Sequence, residues 1–391
     1  VSREIINTAF FEIQASGKAD ALKNTRALGG ALHLTGKGEG RWLCPCPHSS
    51  LMFQKAWCKT RSIVNCRDWS PFRTSFLGIP QEFFFLPERV KFDQPSSTAR
   101  LIARSLLFLA QEKRFLELMP PGMLEGTSCF AADNPEARER LARRLRTPVV
   151  RLFVKAVEAL VLPGIQIHYL LRKLALEALI RDSLANATRQ VVVLGAGLDT
   201  LAGRLHHEFP DARFLEVDHP ATQRAKIELM HDWLAPGPNL NFLYGDLAEQ
   251  TLDKLLLESP HFEPGSPTLF LAEGLLMYLP VEQIDIILAF VSSHHPANRI
   301  AFTYMENQPP AGKPGFEGFR WFTNAWLRWK NEPFTWGLSR NEVESFVRQR
   351  DLQLLEHLNA TDLRERFLSE NETLRNLKPI SGESIAFCQT A

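Results

Sequence analysis

Short apolar runs in the second half of the chain are each followed at once by glycine or by an acidic residue. Glycine lets a ligand approach the backbone closely, and carboxylates accept hydrogen bonds from hydroxyl, amine or ammonium groups. The carboxyl ends of parallel strands form the usual ligand-binding edge of an open sheet. The positions that follow the apolar runs are Gly195, Gly197, Asp218, Asp246, Leu247 and Glu273. They predict one binding site for a ligand rich in hydrogen-bond donors.

Asp218 lies 21 residues after Gly197, a spacing typical of an acidic side chain that accepts from the vicinal hydroxyls of a ribose. The alternative is that Asp218 caps the helix predicted to begin at Pro220. Asp246 can accept from the exocyclic amine of adenine while Leu247 flanks the ring. These positions indicate an adenosine-like ligand.

Glu273 ends an apolar strand, and a carboxylate buried there needs a cationic or hydrogen-bonding partner. The α-ammonium group of a sulfonium cofactor would suit it, and so would Arg172. The glycine loop lacks the third glycine of the dinucleotide-binding pattern, because Thr200 stands there. This disfavours the main rival enzyme class, an NAD(P)-dependent Rossmann oxidoreductase.

The elements that must position these residues form an alternating pattern from residue 188 onward. Helices are predicted near 200–208, 219–233, 248–258 and 280–294, and later near 317–330 and 339–349. The predicted strands are 190–194, 213–217, 241–244, 268–271 and 299–304, followed by 353–357 and 384–388. We therefore expect an α/β fold with a mostly parallel Rossmann-like sheet over 188–391, preceded by a helical subdomain over 93–187.

Residues 1–92 show neither the helical period of 3.6 nor the strand period of two, and are expected to form an irregular extension of unknown role. Cys44, Cys46, Cys58 and Cys66 lie there, separated by one, eleven and seven residues, which does not match the paired spacing of zinc sites. We therefore expect no metal. The formal net charge of +1 favours neither nucleic acid nor an anionic membrane, and no apolar run is long enough to span a bilayer. A cytoplasmic setting is expected.

The motifs Gln190–Thr200, Phe214–Asp218, Gly245–Leu247 and Leu271–Tyr278 resemble those of the leucine carboxyl methyltransferase family, which also has bacterial-type members. The resemblance covers roughly residues 93–391. It implies a class I methyltransferase fold, a seven-stranded sheet with an antiparallel last strand, and S-adenosyl-L-methionine as the cofactor.

The resemblance also implies contacts for particular residues. Arg172 matches the family's arginine that binds the cofactor carboxylate, which suits its guanidinium fork. The methionyl-ribose portion is expected at Gly195 and Asp218, the adenine at Asp246 and Leu247, and the methionyl end at Glu273. Lys173 and Glu177 stand where many members have threonine and aspartate.

Methyl transfer is an in-line displacement that depends on positioning and on exclusion of water. A carboxylate acceptor, on a small molecule or a peptide, is already ionised and needs no base. A hydroxyl acceptor would need one, with Tyr304, His294 and His295 as candidates, and Tyr278 is a further catalytic candidate. The aromatic stretch 316–336 could line an apolar acceptor pocket or pack a helix onto the sheet. A non-catalytic, methyltransferase-like binding protein is a second alternative.

Overall fold

The computed structural model describes residues 96–309, 312–317 and 334–391. Its strands are β1 (Gln190–Leu194), β2 (Arg213–Asp218), β3 (Leu240–Tyr244), β4 (Thr268–Ala272), β5 (Arg299–Met305), β6 (Asn307–Gln308), β7 (Lys313–Pro314), β8 (Leu352–Leu358) and β9 (Glu383–Thr390). Its helices are α1 (Ser97–Leu109), α2 (Lys113–Leu116), α3 (Met123–Phe130), α4 (Pro135–Arg146), α5 (Pro148–Val161), α6 (Ile165–Ala185), α7 (Leu201–Glu208), α8 (Pro220–Met230), α9 (Val281–His294), α10 (Val343–Arg348) and α11 (Ala360–Leu368).

Seven of these strands form one sheet in the order β3-β2-β1-β4-β5-β9-β8. Strands β1 to β5 run parallel to one another, whereas β9 is antiparallel to both of its neighbours, β5 and β8. The predicted α/β architecture with an antiparallel last strand is confirmed. Strands β6 and β7 form a separate two-stranded ribbon.

The central strand β1 is buried on both faces, as expected for a parallel sheet covered by helices. Val191 and Val193 face the apolar cluster that includes α6, and Val192 and Leu194 face the cluster that includes α9. This two-sided burial fixes the sheet between two helical layers. The carboxyl ends of β1 to β4 therefore open at one common edge.

Two predicted helices differ from the structure. The prediction over 248–258 was wrong in extent, because only Asp253–Leu257 form a helical segment there, of π type. The amide of Asp246 donates to the side chain of Gln250 at 2.9 Å, and such local side-chain bonds compete with helix formation. Helix α8 ends at Met230, three residues earlier than expected.

Other predictions fall outside the described residues. These are the extension over residues 1–92 with its four cysteines, the helix over 317–330, and the aromatic residues between 319 and 329. None of the described helices combines the length and apolar character needed to cross a bilayer.

Helix α6 carries charged residues into the interior just before β1. Most of its residues are buried, including His168, Arg172, Lys173 and Glu177. A buried charge is costly unless it is paired and hydrogen-bonded. The partners of these side chains therefore decide where α6 sits against the sheet edge.

Candidate functional site

The loop after β1 turns the chain sharply beside the ends of β2 and β4. Gly195 and Gly197 have φ values of +65° and +54°, a left-handed conformation that favours glycine. The amide of Gly195 donates to the carbonyl of Val217 at 2.8 Å. A Cβ atom on Gly195 would lie 2.9 Å from Cδ1 of Leu275, so a larger residue would also have to displace that side chain.

Asp218 joins this loop to the end of β2. Its carboxylate accepts from the amide of Gly197 and, at 2.6 Å, from the amide of His219. Burial raises the pKa of Asp218, while the two amide donors oppose that shift. The residue that caps α8 is His219, whose ring accepts from the amide of Ala221 at 3.3 Å. Asp218 is thus held at the loop by the backbone and is not the cap of α8.

The third strand end lies next to Asp218, since the amide of Gly245 donates to the Asp218 carbonyl at 2.9 Å. Asp246 uses one carboxylate oxygen to accept from the amide of Ala248 at 2.9 Å. Leu247 is buried in the apolar cluster on the α9 side of the sheet. The structure therefore brings Asp246 to the same edge as Asp218, with Leu247 anchored in the core.

Arg172 links the fourth strand end to the last strand. Its Nε donates to Glu273 at 2.9 Å, and its Nη1 donates to the two carboxylate oxygens of Glu383 at 2.8 and 2.7 Å. His168 Nε2 lies 2.9 Å from the same Glu383 carboxylate. The guanidinium also lies 5.3 Å from the ring centroid of Tyr169. Arg172 is therefore held from two sides.

Lys173 forms a second bridge beside Arg172. Its ammonium group contacts the carboxylate of Asp199, in the glycine loop, and lies 3.1 Å from the Glu273 carboxylate. The other oxygen of Asp199 accepts from the amide of Leu201 at the start of α7. Arg172 and Lys173 thus both contact Glu273, and Lys173 also links the glycine loop to it through Asp199.

Burial and ion pairing act in opposite directions on these carboxyl groups. Burial alone would raise the pKa of Glu383, but the Arg172 guanidinium overrides it and lowers that pKa to about 2. Lys173 overrides burial in the same way and lowers the pKa of Asp199 to about 2. Both carboxylates are therefore ionised at neutral pH, as an electrostatic network of this kind requires.

The candidate catalytic residues lie in different surroundings. Tyr278 belongs to a short helical turn, Leu276–Tyr278, and its ring centroid lies 5.6 Å from that of Phe334. Tyr304 is fully buried, and its hydroxyl is 2.9 Å from Nε2 of His357. Burial raises the pKa of Tyr304, so its hydroxyl stays protonated at neutral pH.

His294 and His295 lie at the end of α9, just before β5 begins, and so at the sheet edge opposite to the glycine loop. Nδ1 of His294 lies 2.8 Å from the carbonyl of Phe290, and His295 accepts from the amide of Ala297. Their placement favours a structural role for both.

Sequence reasoning did not find Glu383 and His168 as members of the site. Glu383 is the first residue of the apolar strand β9. Glu273 was predicted to need a partner because it is a carboxylate at the end of an apolar strand, β4, and the same reasoning applies to Glu383. His168 precedes Arg172 by four residues and so lies on the same face of α6. Both could have been proposed as partners of Arg172 on these grounds.

The topology and the glycine loop with its acidic neighbours define a class I methyltransferase fold. Residues 130–292 match the family model described as leucine carboxyl methyltransferase. The chain is similar to this family over that segment.

Several individual proteins are similar to it. YktD of Bacillus subtilis, a candidate S-adenosyl-L-methionine-dependent methyltransferase, is 27% identical over 287 residues, which cover 72% of this chain and 88% of YktD. A relative from Mycolicibacterium smegmatis with the same description is 34% identical over 126 residues, 32% of this chain and 41% of that protein. A crystal structure of a candidate methyltransferase from Thermobifida fusca covers 77% of this chain and 96% of its own, at 17% identity and a TM-score of 0.46.

The Arg172–Glu383 pair predicts a specific acid dependence of stability. Because the folded-state pKa of Glu383 is about 2, against an ordinary value of 4.5, its ionised form stabilises the fold above about pH 4.5. That contribution is lost as the pH falls from 4.5 toward 2. Glu383→Gln should be about 3 kcal/mol less stable at neutral pH and should lose less further stability over that range. Urea unfolding at a series of pH values measures both effects.

The matched control is Glu344→Gln, at an exposed position of α10, which should behave like the unsubstituted protein. If Glu383→Gln also behaved like the unsubstituted protein, Glu383 would not be the partner that stabilises buried Arg172.

Proposed function

We propose that this S-adenosyl-L-methionine-dependent methyltransferase transfers the methyl group to a carboxylate oxygen of a small molecule or a peptide. The observation that carries the cofactor part is the meeting of Arg172, Glu273 and Asp199 beside the glycine loop. Charged groups of both signs are held there, next to the Asp218 carboxylate, which the amide of Gly197 fixes at the end of β2.

The donor and acceptor groups fit the chemistry of the cofactor. Asp218 would accept from the ribose hydroxyls, and Asp246 from the adenine amine. Glu273 would accept from the α-ammonium group. The Arg172 guanidinium, whose Nε and Nη2 contact Glu273 and whose Nη1 contacts Glu383, would donate to the α-carboxylate. When bound, the cofactor supplies a methyl group on a sulfonium. The fit is favoured by the proximity of these groups at one sheet edge.

The chain's own residues then have a positioning task rather than a proton-transfer task. A carboxylate acceptor is ionised at neutral pH, so the residues need only align it with the methyl group and exclude water. The surroundings of the candidate bases support a carboxylate acceptor. Tyr304 is buried against His357, and His294 and His295 are placed near the opposite edge of the sheet.

The segment after Glu273 is the proposed wall on the acceptor side. Tyr278 packs against Phe334, and Phe334 packs against Phe316, with ring centroids 6.3 Å apart. Phe316 in turn meets the ring of His168, which contacts Glu383. This line of aromatic rings begins beside Arg172 and would favour an acceptor with an apolar body next to its carboxylate.

Asp218→Ala should abolish cofactor binding, because the carboxylate that meets the ribose and orders the glycine loop is lost. Titration calorimetry with S-adenosylmethionine, S-adenosylhomocysteine and NAD measures this, with Asp211→Ala, an exposed site just before β2, as the matched control. Removal of residues 1–92 should leave the affinity unchanged. Retained affinity in Asp218→Ala, or preferential binding of NAD, would contradict the proposed site.

The acceptor class can be tested through the stability of the product. The protein is incubated with cofactor labelled in the methyl group and with an extract of small molecules and peptides, and the product is treated with alkali. A carboxyl methyl ester is hydrolysed and releases volatile labelled methanol, whereas an ether or an N-methyl group keeps its label. We expect release of most of the label. Label that resists alkali would indicate a hydroxyl or amine acceptor, and no label in any product would favour the non-catalytic alternative.

A further inference from the structure

Helix α5 carries large apolar side chains on the side that faces away from the other described residues. Val149, Leu152 and Leu160 are 70%, 72% and 64% exposed, and none of the residues of α5 is fully buried. These positions follow the spacing i, i+3 and i+11, so they share one stripe along the helix. Solvent-facing stripes of large apolar side chains usually mark an interaction surface.

The opposite side of α5 is already packed, so its orientation is fixed. Val154 contacts the apolar cluster formed by α1 and its neighbours. Arg151 pairs with Glu112 at 2.6 Å, and Glu158 accepts from the amide of Gln166 at 3.2 Å. The exposed stripe therefore cannot turn inward without breaking these contacts.

Helix α4, which precedes α5 directly in the chain, carries exposed arginines. It ends at Arg146, and α5 begins two residues later, at Pro148. Arg140 and Arg143 are exposed and, within the described ranges, neither has a carboxylate within ion-pair distance, whereas Arg146 donates to Gln111 beside the packed side of α5. We call Arg140 and Arg143 together with Val149, Leu152 and Leu160 the α4–α5 surface.

The charge of this region differs from that of the whole chain. Residues 135–161 contain seven arginine or lysine residues and three glutamates, a net charge of +4, whereas the entire chain has a net charge of +1. Asp232 and Glu112, outside this range, pair with Arg138 and with Arg151 and Lys155, so the exposed part of this excess includes Arg140 and Arg143. The expectation of no membrane partner was drawn from the whole-chain value, which averages over this local excess.

We propose that the α4–α5 surface docks onto an anionic lipid bilayer. A helix that combines a strongly apolar stripe with flanking basic residues is suited to the interface of a membrane, where apolar side chains enter the acyl boundary. The arginines contribute through attraction to anionic headgroups, which is screened by salt. The proposed contact is peripheral, through one face of α5 and the exposed arginines of α4. The charge complementarity distinguishes this partner from a second copy of the chain, whose matching surface would be equally basic.

The test is co-sedimentation of the full chain with vesicles of phosphatidylcholine alone or mixed with phosphatidylglycerol. We expect binding to the anionic vesicles at low salt, a steep loss as salt increases, and weak binding to the neutral ones. Leu152→Glu should lower the partition coefficient by about tenfold or more. Leu355→Glu, at a half-exposed leucine of β8, is the matched control and should bind as the unsubstituted protein does.

Arg140→Gln combined with Arg143→Gln should weaken binding and also reduce its dependence on salt. Sedimentation velocity without vesicles shows whether the variants keep their fold and oligomeric state. The proposal is overturned if anionic vesicles are not bound, if neutral ones are bound equally well, or if Leu152→Glu binds as the control does. It is also overturned if Leu152→Glu dissociates an oligomer and leaves vesicle binding intact, because the stripe would then join copies of the chain.

Discussion

The burial of Arg172 between Glu273 and Glu383 is the interaction on which the site depends. A guanidinium group taken out of water is tolerated only if its hydrogen bonds are satisfied by well-placed acceptors. Here those acceptors come from the end of β4 and the start of β9, while the cation comes from α6. The pairing therefore fixes three elements that are distant in the chain and sets the position of α6 above the sheet edge.

Consequences of this placement extend to the glycine loop. With α6 fixed, Lys173 reaches both Glu273 and Asp199, and Asp199 in turn bonds the first turn of α7. Asp218 holds the other side of the loop through the amide of Gly197. The loop is thus held in shape by carboxylates on both sides, and a preorganised loop of this kind reduces the conformational cost of ligand binding.

Much of this fold could be predicted from the sequence, because its signals are local. The predicted strand over 190–194 matches β1, since a short run of valines and leucine between polar residues and a glycine loop is typical of a buried strand. The segment over 248–258 was harder, because the side chain of Gln250 bonds the amide of Asp246 and the helical pattern does not reveal that competition. Asp218 and Gly197 were expected together from their spacing.

The charged partners could be predicted only in part, because they meet through tertiary structure. Glu273 was expected to need a cation, and Arg172 was named as one candidate. The sequence could not show that Glu383, 211 residues after Arg172, would bind the same guanidinium. Likewise, Lys173 stands where many members of the family that the chain resembles have threonine. Only the packing of α6 shows that the Lys173 ammonium group reaches Asp199.

We propose that Arg172 anchors the carboxylate of the methyl donor while Glu273 and Glu383 hold its guanidinium in place. Titration calorimetry of Arg172→Lys with S-adenosylmethionine and with its decarboxylated analogue tests this most directly. Lysine keeps the charge but loses the fork that engages a carboxylate. The account predicts that the substitution weakens S-adenosylmethionine binding by about tenfold or more and leaves the affinity for the decarboxylated analogue nearly unchanged. Equal losses for the two ligands would show that Arg172 does not bind the donor carboxylate.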